Sequence, residues 1–498
     1  MSLAHRFGRL VGRMAPSMAN RLKNVWYTLN GGRIDALAEQ SRQRHDYVDG
    51  RLAYIVARLD DFAREQDHYR VRARLYTERD TAFTVADSIR RLAADRPQGE
   101  SRIAVVSVLP PMETGIANYT LRTFEACPVP VDVFAPFPDA GAYLAAVHRQ
   151  PRPGSPITVH ALQALSVALA NRRYAAVVWV IGNSSHHLPV MRLLWETRHL
   201  AARAPTWVQL HDPVLFNLAR FHAEDTGSDL AAMLRAAATR AIPDANWAAV
   251  AKGDISTVLD HPGLPARALF NSLPLHGVVL HSHAARDVLR PDWPDMDRLD
   301  QRLLYLPVIE PFAPRPPRPR GALRIGSFGY PAASKGTDRI IAAFRALRQQ
   351  RPDATLVLAG YNAGRYMQAE GLTNEPGLEL HDNPPEPTLL ALMSSVDVAV
   401  QLRMQNTGES SGIVPQLLSR DVPTITSVIG AFAEYGEAVV ALPGPRIDAD
   451  LCAMILAEAE DPLRRQAARR DYVERHGPVD FCRDLLRSDI AERDAPSA

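Results

Sequence analysis

A glutamate and two serines stand between two glycines in the segment GESSG, residues 408–412. The preceding residues, 396–402, have the apolar pattern of a buried strand, so we expect the segment to open the next helix. Serine hydroxyls and the free N–H groups of a helix start hold phosphate oxygens or sugar hydroxyls. Because serine is the better N-cap, a glutamate beside two serines indicates a functional carboxylate. The candidate residues here are Gly408, Glu409, Ser410 and Ser411.

A lysine and a glycine precede a second helix pattern in GSFGYPAASKGTDRIIAAF, residues 326–344. Lys335 at the amino end of this helix, beside the flexible Gly336, suits a phosphate, and such a charge-assisted contact contributes about 1.5–3 kcal/mol. The Walker pattern GxxxxGK[ST] is absent, so no P-loop is predicted. The alternative is a solvated surface lysine. Arg403, at the end of the strand before Glu409, adds a further positive charge.

Polar residues also follow apolar strand patterns in the first half of the chain. Gly115 opens a helix in PPMETGIANYT, Asn183 follows VVWVIG, and His211 and Asp212 follow WVQL. Because parallel strands end at one edge of a sheet, these residues are predicted to line one crevice. A tight turn at Gly115 and a structural role for His211 are the alternatives. The pair His281-Ser282 is interpreted as packing.

Strand and helix patterns alternate through two parts of the chain, which predicts an α/β fold of two Rossmann-like, doubly wound parallel-sheet domains. The strand patterns are residues 103–108, 131–135, 175–181, 206–210 and 277–281, then 323–328, 355–358, 378–380, 396–402, 424–426 and 439–442. The predicted domains are residues 101–310 and 323–475, joined by a proline- and arginine-rich linker, 311–322. Residues 476–498 form a C-terminal helix and tail, and we expect the helix to cross back onto the first domain.

The first 96 residues have a different pattern. Residues 1–32 contain five basic and no acidic side chains, with an apolar stripe at helical spacing. This basic amphipathic segment is typical either of peripheral membrane contact through residues 1–29 or of a helix packed on the protein's own body. Residues 33–96 repeat apolar positions at four and three residues, which favours a coiled-coil arm that forms a homodimer. A helical hairpin folded on the next domain is the alternative.

Composition excludes several classes of protein. With 498 residues, 46% of them hydrophobic and 22% charged, the chain is too long for one core and too apolar for wholesale disorder. A net charge of +2 gives no argument for nucleic acid binding. The three cysteines lie far apart without metal-ligand spacing, which excludes a zinc ribbon or a disulfide framework. Without a signal-peptide pattern, we expect a cytoplasmic protein, peripheral on the inner face of the membrane if the first segment binds lipid.

Six sequence motifs occur in this chain in the same order as in a known protein family. PPxxTGIAxYT, GNSxxH, LHDxxL, HSxxARxxL, SxGxxxxxKGxDRIIxAF and LRxxxxGExSGxVxxxL occur between residues 103 and 445. The chain resembles the bacterial branch of the retaining, nucleotide-sugar-dependent glycosyltransferases of family 4, which have the GT-B fold. The resemblance implies transfer of a hexosyl group from a nucleoside-diphosphate donor to a glycan or lipid-linked glycan, with retention of configuration. It also implies that there is no cofactor, because the nucleotide sugar is a substrate. No metal is expected either, since the family generally needs none.

The resemblance assigns roles to the candidate residues. Lys335 would neutralise the leaving diphosphate, Glu409 would contact hydroxyls of the donor sugar, and His211 would contact the sugar or the acceptor. The remaining donor-side residues would be Gly115, Gly336, Arg403, Gly408, Ser410, Ser411 and Glu434. Asn183 and Asp212 would lie on the acceptor side.

Two positions depart from the family's pattern. Leu417 stands where the family often has a second glutamate for the donor ribose, so Glu434 or the backbone would make that contact. No arginine stands near Gly329-Tyr330, and Arg403 is hypothesised to replace it as a phosphate clamp. Two other functions therefore stay open, a nucleotide-sugar epimerase of the same fold and a catalytically degenerate nucleotide-sugar-binding or assembly protein.

Overall fold

The computed structural model describes residues 79–94, 102–112, 114–149, 155–315, 321–372, 374–443 and 447–491. The predicted basic segment, residues 1–32, lies outside them, as do most of the predicted arm and residues 316–320 of the linker. Helix α1 covers residues 79–94. Contacts join the described residues from Asp80 onward, which include nearly all of α1, into one compact unit.

The first sheet has seven parallel strands in the order β3-β2-β1-β4-β5-β6-β7. They are β1 Ile103–Val106, β2 Val131–Ala135, β3 Ile157–Ala161, β4 Ala176–Ile181, β5 Thr206–Leu210, β6 Gly277–Leu280 and β7 Asp300–Leu303. Every residue of β1 and β4 is buried, because helices cover both faces of the sheet. This sheet and its helices are called the N-terminal lobe.

The second sheet has six parallel strands in the order β10-β9-β8-β11-β12-β13. They are β8 Arg324–Phe328, β9 Thr355–Gly360, β10 Leu378–Asp382, β11 Val398–Gln401, β12 Thr424–Ser427 and β13 Val440–Leu442. This sheet and its helices are called the C-terminal lobe. The two sheets confirm the fold class predicted from the alternating pattern.

Helices connect the strands and cover the sheets. In the N-terminal lobe they are α2 Gly115–Phe124, α3 Ala140–His148, α4 Leu165–Asn171, α5 Leu188–Glu196, α6 Phe216–Thr226, α7 Leu230–Ala237, α8 Asp244–Val250, α9 Leu264–Phe270 and α10 His283–Leu289. In the C-terminal lobe they are α11 Thr337–Gln350, α12 Ala363–Ala369, α13 Glu386–Ser395, α14 Val414–Ser419, α15 Ile447–Glu460 and α16 Gln466–Arg475. Short 3₁₀ turns cover Leu162–Ala164, Ser185–His187, Arg198–Arg203, Ile255–Val258, Pro294–Arg298, Ala333–Lys335 and Gly430–Ala438.

The last helix, α17 Pro478–Ala491, crosses back onto the first sheet. Phe481, Cys482 and Leu485 are buried in the same core cluster as β1 and β2. The Phe481 ring meets the Phe124 ring of α2 edge-on at 6.4 Å between centroids. The crossing predicted from the sequence is therefore confirmed, and the last described helix packs on the N-terminal lobe.

The order of the strands reverses in the middle of both sheets, between β1 and β4 and between β8 and β11. A reversal of strand order leaves a crevice, because the connections on either side of it run to opposite faces. Ligands of open α/β sheets bind in such crevices, beyond the carboxyl ends of the strands. The residues that follow β1, β4, β8 and β11 are thus in the positions where the fold itself favours a site.

Two strands do not follow from the apolar pattern. β7 has the sequence DQRL and is exposed or half-buried throughout, as an edge strand can be. β3, ITVHA, lies at the opposite edge and contains a buried histidine, His160. Edge strands bury less surface than central ones, so polar residues are tolerated there and the apolar signal weakens.

Candidate active site

The candidate residues follow strands that flank the two reversals of strand order, or, for β5, the strand next to one of them. Gly115 comes after β1, Asn183 after β4, and His211 and Asp212 directly after β5. In the C-terminal lobe, Lys335 follows β8, and Arg403 and Glu409 follow β11. The charges of Glu409, Lys335 and Arg403 all act on the pKa of Asp212, which shows that residues from both lobes share one electrostatic environment.

Gly182 allows three side chains to converge on the wall of the N-terminal lobe. A Cβ atom at this position would lie 2.3 Å from Cδ1 of Ile116, 2.9 Å from Nε2 of His187 and 3.1 Å from Oδ2 of Asp212. Any larger residue would therefore push these side chains apart. The start of α2, the end of β4 and the end of β5 form a single packed wall around this glycine.

Asp212 is held in an environment that disfavours its charged form. Its Oδ2 accepts a 2.7 Å hydrogen bond from the backbone N–H of Asn183. Burial raises the pKa of Asp212 to about 6, and the negative charge of Glu409 adds to the rise. The Asn183 hydrogen bond and the charges of Lys335 and Arg403 act in the opposite direction. The folded protein therefore favours the protonated form of Asp212 more than water does.

His211 is neutral at physiological pH. Burial lowers the pKa of its ring to about 4, although the Glu409 carboxylate favours the charged form. The ring packs edge-on against Tyr119 at 6.1 Å and against His281 at 5.5 Å between centroids. Its Nε2 is buried and has no hydrogen-bond partner among the described residues. Since buried polar atoms are normally paired, this nitrogen is a candidate for a ligand contact.

Lys335 lies in the 3₁₀ turn Ala333–Lys335, and Gly336 links this turn to the 14-residue helix α11. Gly336 has a φ of 61°, in the left-handed region that favours glycine. Burial lowers the pKa of the Lys335 ammonium and the neighbouring Arg403 lowers it further, whereas Glu409 and Asp212 raise it. The lysine is thus a desolvated cation close to two carboxylates.

Arg403 supports Glu409 from within the C-terminal lobe. Its Nη2 lies 3.2 Å from Oε1 of Glu409, and its guanidinium lies over the Phe432 ring at 4.5 Å from the centroid. The Arg403 side chain is 11% exposed, against 34% for Glu409. The carboxylate is therefore partly accessible to solvent, while the more deeply buried arginine helps to fix its orientation.

The helix start predicted for GESSG is wrong. Helix α14 begins at Val414, and Glu409 lies in an irregular segment that precedes it. The Ser411 hydroxyl accepts hydrogen bonds from the N–H groups of Ile413 and Val414, so this serine caps α14 itself. The Ser410 hydroxyl donates to the backbone carbonyl of His281 at 3.0 Å. Both serines are buried, and their hydroxyls bind protein groups instead of standing free for a phosphate.

Glu434 and Gly408 also bind the opposite lobe. Both carboxylate oxygens of Glu434 accept 2.9 Å hydrogen bonds from backbone N–H groups, of His283 and Ala284 at the start of α10. Gly408 has a φ of 69°, and a Cβ atom there would lie 2.6 Å from Cα of Ala285. The ribose contact hypothesised for Glu434 is therefore not available in this arrangement.

Ser282 is a residue of this region whose contact the sequence interpretation missed. Its hydroxyl donates to the Gly408 carbonyl at 2.9 Å and accepts from the N–H of Ala285 at 2.9 Å. The pair His281-Ser282 is thus more than packing within its own lobe. The sequence signal was present in the motif HSxxAR, but the partner is a backbone carbonyl, which has no pattern of its own.

Two other predicted residues have structural contacts. The Asn183 side-chain oxygen accepts a 3.1 Å hydrogen bond from the N–H of Leu218 and so supports the start of α6. Gly115 is the first residue of α2, after the capping residue Thr114. A Cβ atom on Gly115 would meet no described atom within 4 Å, so open space faces this end of the helix.

A cavity of about 590 Å³ lies elsewhere in the N-terminal lobe, between α2, α3 and β3. Its lining is mostly alanine, leucine, valine and proline, and it includes none of the candidate residues. In the described part of the chain, no three histidine, cysteine, aspartate or glutamate side chains converge as metal ligands do. None of the described helices is both long enough and apolar enough to cross a membrane.

No protein-family model and no curated protein matches the chain. Among solved structures, it is similar to a glycosyltransferase from Rickettsia africae ESF-5, with 11% identity, a TM-score of 0.49 and coverage of 80% of this chain and 100% of that one. Anabaena Alr3699/HepE, in complex with UDP-glucose, has 14% identity, a TM-score of 0.48 and coverage of 78% and 99%. A chain of the GtfA/B complex has 11% identity and a TM-score of 0.43 over 67% of this chain. This chain spans 61% of that one's length.

Proposed function

We propose that this protein is a glycosyltransferase that transfers a hexosyl group from a nucleoside-diphosphate sugar to a glycan or lipid-linked glycan, with retention of configuration. One observation carries the proposal. The carboxyl ends of the two Rossmann-like sheets bring Lys335 and the Arg403–Glu409 ion pair close enough to Asp212 for their charges to act on one another. The resemblance carried by the six motifs, which implies donor and acceptor roles for the same residues, supports the proposal.

The proposed chemistry uses the cations of the C-terminal lobe to stabilise the leaving group. When the bond from the anomeric carbon to the diphosphate oxygen breaks, negative charge develops on the phosphate. Lys335 is already desolvated, so its interaction with that charge is stronger than in water and needs little reorganisation. Arg403 adds positive potential from behind Glu409.

The carboxylate of Glu409 binds hydroxyls of the donor sugar in this proposal, and the acceptor enters from the side of His211 and Asp212. The acceptor oxygen forms its bond to the anomeric carbon on the face from which the diphosphate leaves, which retains configuration. The acceptor proton passes to the departing phosphate oxygen. The buried Nε2 of His211 is neutral and can bind a hydroxyl of the sugar or of the acceptor.

The test compares Glu409→Gln with Glu437→Gln, an exposed glutamate of the same lobe. Purified protein is incubated with UDP-, GDP- and ADP-sugars, and release of the nucleoside diphosphate is measured, with the anomeric configuration of any product determined by NMR. We expect turnover to fall by about 10²–10³ in Glu409→Gln, as when one transition-state contact is removed, and to stay unchanged in Glu437→Gln.

Three results would contradict the proposal. Interconversion of the donor sugar without release of nucleoside diphosphate would identify an epimerase. Nucleotide-sugar binding without turnover of any donor would identify a binding protein. An inverted product would leave a transferase with a different mechanism.

A further inference from the structure

The segment that bears Glu409 has hydrogen bonds to the opposite lobe on both sides of this residue. Before it, the Gly408 carbonyl accepts from the Ser282 hydroxyl at 2.9 Å. After it, the Ser410 hydroxyl donates to the His281 carbonyl at 3.0 Å. Residues 402–411 have no regular secondary structure, so these bonds replace the ladder that would otherwise hold the backbone.

We propose that Ser282 and Glu434 are positioning residues that fix the Glu409 carboxylate across the cleft. This inference rests on the proposed function, because it concerns the same carboxylate. The two residues work from opposite lobes, and both act on the turn that contains His281 and leads into α10. Neither touches the donor in this proposal.

Glu434 holds that turn in place from the C-terminal lobe. Its two oxygens bind the N–H groups of His283 and Ala284, while Ser282 caps the next free N–H, that of Ala285. The start of α10 is therefore capped by one residue of its own lobe and one of the other. Such capping bonds are favoured by the positive end of the helix, and a carboxylate gains more than a neutral group.

The two segments are also closely packed at this point. The backbone of Gly408 is so close to Ala285 that a Cβ atom would lie 2.6 Å from its Cα. Only a cavity of about 10 Å³ remains beside Ser410, Glu434 and Tyr435, too small for a sugar.

The first experiment compares Ser282→Ala, Ser282→Thr and Glu434→Gln with Asp229→Ala. Asp229 caps α7 in the N-terminal lobe through the N–H groups of Ala231 and Ala232, so its loss removes a cap of similar kind. For donor turnover, we expect kcat to fall by on the order of tenfold to a hundredfold in Ser282→Ala, with KM changed far less, since misplacement of a catalytic group acts on the transition state. Ser282→Thr, which keeps the hydroxyl, should have a kcat close to the wild-type value. Asp229→Ala should leave kcat unchanged.

The second experiment is independent of activity. Hydrogen–deuterium exchange of peptides covering residues 403–414 reports on this segment, where the N–H groups of Met404, Gly408 and Val414 are hydrogen-bonded. We expect faster exchange in Ser282→Ala and Glu434→Gln than in wild type, and no change in Asp229→Ala.

The two experiments separate the inference from the proposed function. If wild type turns over no donor, the proposed function fails and hydrogen exchange alone decides the inference. Unchanged exchange in both variants would overturn it. So would a kcat in Ser282→Ala that equals the wild-type value in a protein that does turn over donor.

Discussion

Asp212 shows how a single residue can be unfavourable for folding and still fit a site. Its half-buried carboxyl lies just beyond the end of β5, close to the like charge of Glu409. Its side chain accepts a hydrogen bond from the backbone N–H of Asn183. A residue whose ionised form is disfavoured in the folded protein is typical of active sites, where binding a ligand repays the cost.

Replacing Asp212 by asparagine is expected to stabilise the protein at alkaline pH. The folded pKa, about 6, exceeds the ordinary value of 3.8, so the folded state binds the proton more tightly and wild type loses stability as pH rises between these values. The loss is at most about 3 kcal/mol, because one pKa unit corresponds to about 1.4 kcal/mol. Asparagine can still accept the Asn183 hydrogen bond and does not titrate.

Urea unfolding of wild type and Asp212→Asn at pH 4, 6 and 8 measures this difference. The two free energies of unfolding should differ least at pH 4, and the stability of the variant relative to wild type should increase from pH 4 to pH 8. Parallel pH profiles would show that Asp212 does not titrate as described. Donor turnover by the variant should fall at the same time if Asp212 contacts the acceptor.

At the scale of elements, helix α1 closes an edge of the first sheet. β3 is an edge strand, and its exposed backbone groups would otherwise pair with another chain or with water. The Ser88 hydroxyl accepts from the N–H of Ala161 at 2.8 Å, and Arg91 donates to the carbonyl of Val159 at 2.8 Å. Ser88 also lies 2.9 Å from the Tyr143 hydroxyl of α3. Side chains of the helix thus take the place of a neighbouring strand.

Ser88→Ala is expected to destabilise the protein by about 1–3 kcal/mol, because it leaves the buried N–H of Ala161 without this acceptor. The matched control is Ser228→Ala, at an exposed serine whose hydroxyl lies near Thr226, and it should change stability by less than about 0.5 kcal/mol. Urea unfolding at pH 7 compares both variants with wild type. Equal stability of the two variants would mean that α1 does not protect this edge.

Elements and side chains differ in how far the sequence predicts them. Buried parallel strands such as β1 and β4 can be predicted from the sequence, because both of their faces must be apolar. The polar residues directly after such a strand then mark its carboxyl end. The strand end followed by His211 was predictable for that reason. The contacts of Ser282 and Glu434 were not, because their partners are backbone atoms of the other lobe, and every residue type carries those atoms.

At the scale of the whole molecule, a second set of contacts joins the lobes beside the linker. Arg122 of α2 forms ion pairs with Glu310, which precedes the linker, and with Glu386 at the start of α13, where the distance is 2.9 Å. The Arg122 side chain is 13% exposed and its partners about a third, so solvent screens the pairs in part. Burial lowers the pKa of Arg420, and the positive charge of Arg122 lowers it further while Glu386 raises it. Arg122 therefore connects the lobes at a point remote in sequence from the Ser282 contact.

The arrangement of the lobes described above is called closed. If these ion pairs favour it, Arg122→Gln should populate a more open arrangement. A donor that binds the closed form then binds more weakly in proportion to the closed fraction. For partly exposed pairs we expect a two- to fivefold rise in the dissociation constant at low ionic strength, which corresponds to about 0.4–1 kcal/mol. Because salt screens the pairs, the difference from wild type should shrink in 0.5 M NaCl.

Calorimetric titration with the donor nucleotide and small-angle scattering at both salt concentrations measure this effect. Arg192→Gln is the control, since Arg192 pairs with Asp225 within the N-terminal lobe and does not join the lobes. The radius of gyration should increase at low salt in Arg122→Gln and stay at the wild-type value in Arg192→Gln. If both variants bind and scatter like wild type, Arg122 contributes nothing to closure, and the contacts around Ser282 and Glu434 alone must hold Glu409 against the opposite lobe.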